Sequence, residues 1–201
     1  MKIPLFTCLM TLWSIASFAQ EKAALTKEET VNYLNKKLKE CIGHYRQTPV
    51  TGEDDRIFYY HNVSFTLSGS TLKLYMKYSN YKEGTGTKEC DYFLIDWTVE
   101  FNPIHITQIT EKSNTKNSPV GGIDVKFISK IAVEESDYYQ RNVNNDNGRC
   151  FGLALAKETH YSVDTTDLGF LQADPSNFNK IKKALEHLRD LSKAEDDPFG
   201  N

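Results

Sequence analysis

The chain has 201 residues and a formal net charge of −3, from 24 lysines and arginines and 27 aspartates and glutamates. This acidic balance gives no general electrostatic attraction to nucleic acid or to anionic lipid, so neither is expected as a partner. Residues 20–201 fall within the usual size of one domain and can bury an ordinary hydrophobic core. We therefore predict a single globular domain behind a short N-terminal segment.

Residues 1–19 have the pattern of a secretory signal peptide. Lys2 supplies the positive end, an apolar run covers residues 3–15, and Ser17-Phe18-Ala19 matches the small-x-small pattern of a cleavage site. The mature chain would begin at Gln20 and be extracytoplasmic, either periplasmic or secreted, with no integral membrane segment. Lipid attachment at Cys8 is the alternative, although most of the apolar run follows this cysteine.

The four cysteines limit the redox and metal chemistry. Removal of residues 1–19 would leave Cys41, Cys90 and Cys150, an odd number in an oxidising compartment. Cys90 and Cys150 each stand just before a predicted strand, so a disulfide between them is one interpretation, and three buried thiols is the other. No two cysteines form a local CxxC motif, and neither a metal site nor a cofactor is predicted.

An N-terminal helix is predicted over residues 26–43. Thr26 followed three residues later by Glu29 forms a capping box. Apolar side chains then share one helical face, at Val31, Leu34, Leu38, Cys41 and Tyr45. Cys41 and His44 could supply half of a metal site or a thiol and base pair, but no further ligand or orienting carboxylate can be named, so no catalytic residue is assigned.

Residues 56–173 are predicted to form seven antiparallel strands, because apolar and polar residues alternate along them. On the first strand His61 falls on the apolar face, which favours a core histidine over a catalytic base. The other strands are predicted at residues 72–78, 93–101, 104–109, 123–133, 151–155 and 168–170. A phase slip within residues 104–109 indicates a bulge or short turn. The small residues Gly152, Ala154 and Ala156 would let a helix pack closely.

Residues 174–194 are predicted to form a C-terminal amphipathic helix. Asp174 can accept hydrogen bonds from the first amides, and Pro175 suits the first helical position. An apolar stripe then runs along the helix through Phe178, Ile181, Leu185 and Leu188. Such a stripe needs an apolar partner, so this helix is expected to close an open sheet.

Seven strands followed by one amphipathic helix indicate an α+β fold, a curved antiparallel sheet or small barrel closed by the helix. This order resembles the pleckstrin-homology-like superfold, with an additional N-terminal helix. The Phe18-Ala19-Gln20 end of the signal, together with residues 183–188 and 197–200, is similar to uncharacterised secreted proteins of Bacteroidota-type bacteria. Neither resemblance implies an activity.

Two short polar motifs are also explained by turns. Residues 144–148 alternate oxygen ligands before Gly148, but the first and twelfth positions of a calcium loop would be Val143 and Ala154, which cannot bind the ion. Residues 164–166, Asp-Thr-Thr, resemble an O-glycosylation acceptor, and a polar turn explains them equally.

The functional prediction is a non-catalytic binding or interaction module for a protein, peptide or envelope component. Residues 134–149 are predicted to form a connection of sixteen residues, longer than a usual hairpin loop. It carries Tyr138, Tyr139 and Arg141, residue types that are common at interfaces. A mobile hairpin tip is the alternative for this loop. An extracytoplasmic hydrolase with a site assembled from distant residues, or a lipid carrier with a cavity under the C-terminal helix, is the alternative function.

Overall fold

The computed structural model describes residues 25–48, 56–82, 92–112, 118–140 and 154–197. These ranges contain two helices, seven strands and one 3₁₀ turn. In chain order they are α1 (Lys27–Lys39), β1 (Tyr45–Thr48), β2 (Arg56–Ser68), β3 (Thr71–Lys82), β4 (Tyr92–Phe101), the 3₁₀ turn (Pro103–His105), β5 (Ile106–Glu111), β6 (Val120–Gln140), β7 (Ala154–Leu171) and α2 (Asn177–Asp196). The predicted α+β class is confirmed. Within the described ranges, neither helix has the length and apolar character needed to cross a membrane.

The strands form one curled antiparallel sheet, a half-barrel with β6 as its most extensively paired strand. One side of β6 pairs first with β5 and then with β4, while its other side pairs with β7. Beyond β4 the order continues through β3 and β2 to β1. β1 and β7 are therefore edge strands, and β5 is one as well, because it pairs only with β6.

The predicted connection over residues 134–149 is wrong in its first half. The chain stays extended to the end of β6 at Gln140 and pairs with both β4 and β7. Glu134 is exposed and its next four neighbours are half-buried, so the sequence lacks the apolar signal of a core strand. Two flanking strands supply the backbone hydrogen bonds that keep this polar segment in the sheet.

The described residues contain seven strands, the predicted number, but these are not the seven strands that were predicted. Residues 154–155, the described part of the strand predicted at residues 151–155, and the strand predicted at residues 168–170 belong to the single strand β7. Strand β1 was not predicted. Ala156 is exposed, so the expected close packing of a helix on this small residue is wrong. The reason is that α2 packs mainly on α1 and the 3₁₀ turn. The predicted irregularity in residues 104–109 is confirmed by the 3₁₀ turn and by a register shift between Ile106 and Gln108.

A bulge in β2 changes which side chains face the interior. The register with β3 shifts between Tyr60 and Asn62, and both Tyr60 and Val63 are buried. The residue between the two register positions, His61, is exposed and hydrogen-bonds through Nε2 to the Ser79 hydroxyl. The prediction of a core histidine is therefore wrong, because strict alternation does not hold across the bulge.

Helix α1 begins with a side-chain cap, whereas α2 has no side-chain cap and is preceded by a polar turn. The Thr26 hydroxyl accepts from the Glu29 amide at 3.2 Å, and the Thr26 amide donates to the Glu29 carboxylate at 2.8 Å, which confirms the capping box. Helix α2 begins at Asn177, three residues later than predicted. Asp174 instead accepts hydrogen bonds from the Ser176 amide at 2.9 Å and from Lys180 Nζ at 2.6 Å, so it stabilises the turn before the helix.

The predicted apolar face of each helix is buried in the core, except that Cys41 and Tyr45 lie beyond the end of α1 at Lys39 and Tyr45 is exposed in β1. Leu34 and Leu38 of α1 and Leu185 and Leu188 of α2 are fully buried. They join one continuous cluster with residues from β2 to β7. The helices lie near the 3₁₀ turn, at the end of the sheet where β4 finishes. The opposite end of β2 and β3 is left for the site described next.

Candidate functional site

A cleft of about 270 Å³ lies on the curled sheet, away from the two helices. Its lining comes from five strands and combines aromatic, aliphatic and polar side chains. The lining residues are Arg46, Phe58, Tyr60, Met76, Tyr78, Trp97, Tyr161, Val163, Thr165, Thr166 and Asp167. At ~30 Å³ per water molecule, the cleft has room for about nine waters or for one small organic molecule.

Arg46 on β1 and Asp167 on β7 join two edge strands of the sheet across the cleft. Arg46 Nη1 and Nη2 donate to the two carboxylate oxygens of Asp167 at 2.7 and 2.6 Å. The guanidinium carbon also lies 5.5 Å from the centre of the Phe58 ring, within the range of a cation–π contact. Burial lowers the pKa of Arg46, but the charges of Tyr60 and Asp167 raise it by more, so the guanidinium stays charged.

A second cation completes the charge balance around Asp167. Lys112 Nζ lies 2.7 Å from Asp167 Oδ2 and 3.0 Å from Asp124 Oδ1. Arg46 and Lys112 are thus matched by Asp167 and Asp124. The Arg46–Asp167 side of the cleft is therefore polar, but with Lys112 and Asp124, which do not line the cleft, these four side chains carry no net charge.

Two facing glycines leave the space that Arg46 and Tyr60 occupy. Gly122 of β6 is the register partner of Gly169 of β7. A Cβ on Gly122 would lie 3.1 Å from Arg46 Nη1 and 2.9 Å from Lys112 Cδ, and one on Gly169 would lie 3.2 Å from the Tyr60 hydroxyl. Both distances to the cleft residues are tighter than ordinary contacts. A larger residue at either position would press against Arg46, Lys112 or Tyr60, so glycine leaves the space that these side chains need.

Aromatic side chains form the walls of the cleft. The Phe58 and Tyr78 rings lie 5.6 Å apart and cross at 66°. Trp97 Nε1 donates to the Tyr161 hydroxyl at 3.1 Å, and that hydroxyl donates to Glu135 Oε2 at 2.7 Å. Burial and the hydrogen bond to Glu135 raise the pKa of Tyr161 to about 12, so its hydroxyl stays protonated at neutral pH.

Two polar atoms of the lining are buried without a hydrogen-bond partner. They are Arg46 Nε and Thr166 Oγ1, in residues that are 6% and 3% exposed. Leaving such an atom unpaired costs about 1–3 kcal/mol. Thr48 Oγ1 and Asp137 Oδ1 are also buried and unpaired, but these residues do not line the cleft.

Of the three residues predicted to bind a partner, the structure describes the side chain of Tyr138. Tyr138 is half-buried in β6, between Leu94 of β4 and Leu155 of β7. Tyr139 is the next residue of β6, and Arg141 lies outside the described residues. Tyr138 does not line the cleft.

The predicted disulfide cannot be placed, since Cys90 and Cys150 both lie outside the described residues. Cys41 is a buried free thiol. Burial and the charge of Glu40 raise the pKa of Cys41 to about 12. In the part of the chain that the structure describes, no group of three or more histidine, cysteine, aspartate or glutamate side chains could hold a metal ion.

The residues of the cleft were not predicted from the sequence. Arg46 stands between the predicted N-terminal helix and the first predicted strand, and Asp167 stands beside a predicted short strand. Glycines inside strands, at positions 121, 122 and 169, are the sequence signal that could have indicated where side chains lie close against the backbone of the sheet. Comparison of the chain with known protein families, curated proteins and solved structures gives no match. The resemblance to the pleckstrin-homology-like superfold stays a prediction.

Proposed function

We propose that this chain is a non-catalytic extracytoplasmic binding module and that it holds a small ligand in the cleft. The observation that carries the proposal is that five aromatic side chains and the Arg46–Asp167 pair line one cleft of about 270 Å³. Mostly apolar walls with a few polar groups that fix orientation are typical of small-molecule sites.

The protonation states of the lining support binding over acid–base catalysis. A general acid or base works best when its pKa lies near the working pH. Burial and the charge of Glu135 raise the pKa of Tyr78, and burial raises the pKa of Tyr60. Arg46 keeps its charge as well. These groups are suited to donating hydrogen bonds to a ligand rather than to exchanging protons with it.

The packing of the molecule supports the cleft over a cavity beneath α2. Ile181, Leu185 and Leu188 on the inner face of α2 are fully buried in the core. The cleft, in contrast, is held in shape by the Arg46–Asp167 pair between two edge strands. A site that is already formed loses less free energy on ordering when it binds.

The N-terminal segment supports the extracytoplasmic part of the proposal, because residues 1–19 match a cleavable signal. Cells that express the full sequence should yield an extracytoplasmic product that begins at or near Gln20. Intact mass and cell fractionation measure this. A retained Met1, or a lipid-modified Cys8, would contradict the compartment.

Trp97 provides a direct test of binding at the cleft. The chain contains two tryptophans, and Trp13 lies in the segment that secretion would remove, so the product that begins at Gln20 reports fluorescence from Trp97 alone. Titration with a library of small metabolites should give a saturable change in emission for at least one chemical class. Tyr161→Ala, which removes a partly exposed wall, should weaken that binding.

Tyr45→Ala is the matched control, because Tyr45 is 37% exposed against 38% for Tyr161 and does not line the cleft. Equal weakening by the two substitutions would show that the binder is not in the cleft. A library without any saturable binder would overturn the proposed function.

A further inference from the structure

The first half of β7 is an open edge of the sheet. Within the described residues β7 pairs with β6 alone. Residues 155–162 are exposed except for the half-buried Thr159, whereas Leu168 and Phe170 near the end of β7 are buried. An edge strand offers backbone N–H and C=O groups to which another strand can bond. The other edge strands are shorter, with four residues in β1 and six in β5, so β7 is the edge best able to accept a partner strand.

A second copy of β7 can pair with this edge in only a few symmetric registers. When a two-fold axis relates two antiparallel strands, residue i of one lies opposite residue j of the other, and j lies opposite i. Opposite side chains share a face, and successive side chains of a strand alternate between faces. The axis therefore has to pass through a residue position, and the central positions of the exposed half are Glu158, Thr159 and His160.

The charges on one face of β7 select a single register. An axis at Glu158 would place two glutamates opposite each other, and an axis at His160 would place two histidines there. An axis at Thr159 instead places each Glu158 opposite His160 of the partner subunit. Directly opposite like charges destabilise a strand pair, and complementary ones stabilise it. His160 also lies opposite Glu134 of β6 in its own chain, and an imidazole has two ring nitrogens with which to contact carboxylates on both sides.

The other face of β7 is complementary in the same register. There Lys157 of the partner subunit lies opposite Tyr161. A lysine on an edge strand commonly prevents pairing. Here, however, the Tyr161 hydroxyl donates to Glu135 Oε2 at 2.7 Å, so a carboxylate lies where the long lysine side chain arrives. Both faces of β7 therefore fit a second copy of β7.

We infer that the chain forms a symmetric dimer in which β7 pairs antiparallel with β7 of a second copy, with the two-fold axis at Thr159. The two curled sheets then join into one. This dimer is independent of the proposed ligand, but it also brings Lys157 of the partner subunit to the cleft at Tyr161, one of the lining residues.

Exchanging the two charges tests the dimer and its register. Sedimentation equilibrium of the purified protein from about 1 to 500 μM, where small interfaces dissociate, should show a mass that rises to twice that of one chain. Glu158→Arg sets arginine opposite histidine, and His160→Glu sets glutamate opposite glutamate. Each change acts twice in the dimer and should weaken it at least about tenfold. The double variant Glu158→Arg with His160→Glu restores complementary pairs and should recover most of the affinity.

A mixture of the two single variants distinguishes this register from others. In a mixed dimer the new arginine of one subunit faces the new glutamate of the other, and the second pair is the original Glu158–His160. The mixture should therefore dimerise where each variant alone does not. Glu111→Arg is the matched control, because Glu111 is an exposed glutamate on the edge strand β5, and its dimer should equal the parent's.

A parent protein that stays monomeric over this range overturns the inference. The same conclusion follows if both single variants dimerise like the parent, if Glu111→Arg weakens the dimer as much as Glu158→Arg, or if neither the double variant nor the mixture recovers it. Circular dichroism shows that each variant is folded. If a charge reversal does not fold, Glu158→Gln, which keeps the side-chain size, should weaken the dimer about threefold, and an unchanged affinity then overturns the inference.

Discussion

Replacing Asp167 by asparagine tests the side-chain link between two edge strands of the sheet. The change keeps the size of the side chain but leaves the Arg46 guanidinium, whose side chain is 7% exposed, without its anion. Removing one partner of a buried pair costs about 3–5 kcal/mol. Asp167 is 28% exposed, so water screens part of the loss, and we expect about 3 kcal/mol. For a domain of this size that is a fall in Tm of roughly 6–12 °C.

Urea denaturation followed by Trp97 fluorescence and by circular dichroism measures the loss. Asp124→Asn is the matched control, because it removes the other carboxylate that contacts Lys112. Lys112 is 33% exposed and keeps its contact with Asp167, so we expect a loss of stability below about 1 kcal/mol. The double variant Arg46→Met with Asp167→Leu removes both charges and should recover most of the lost stability. An Asp167→Asn midpoint equal to the parent's, or a double variant no more stable than Asp167→Asn, would refute the reasoning.

Leu185→Ala should lower the free energy of unfolding by roughly 2–5 kcal/mol in a urea melt, because Leu185 is fully buried. Leu191→Ala should lower it by less, because Leu191 is half-buried, and equal losses would contradict the packing of α2. Burial and the charge of Lys77 lower the pKa of His61, so folding favours its neutral form. Stability should therefore fall, relative to His61→Gln, as the pH drops below about 6.5, the unfolded value, and parallel pH curves for the two proteins would count against this. Burial raises the pKa of Cys41 to about 12, so iodoacetamide at about pH 8 should modify it only after denaturation, as read by peptide mass spectrometry; labelling in the native state would show that the thiol is accessible.

The helices and the first three strands of the predicted sheet follow from local patterns. The period of Leu34 and Leu38 predicts α1, and that of Leu185 and Leu188 predicts α2, because each pair has to face an apolar partner. The second half of β6 has no such pattern. Its half-buried polar residues are kept extended by β4 on one side and β7 on the other, and pairing of this kind depends on the whole sheet.

The cleft could not be predicted for a related reason. Arg46 and Asp167 are separated by 121 positions, and each on its own looks like an ordinary surface charge. Their bidentate contact exists only once the sheet has curled far enough to bring β1 near β7. The bulge at His61 adds a second obstacle, because it sets whether Tyr59 or Tyr60 faces inward, and residue type does not distinguish the two.

The link between β1 and β7 also has a kinetic consequence. Closing a loop of 121 residues has an entropic cost that has to be met before the Arg46–Asp167 contact contributes any stability. The β2–β3 hairpin, whose turn contains Gly69 at a φ of 58°, needs no such closure and can form early. The ion pair should then be absent from the folding transition state, so that its loss speeds unfolding and leaves the folding rate nearly unchanged. Arg46 and Asp167 would thus lengthen the lifetime of the folded molecule without hastening its formation.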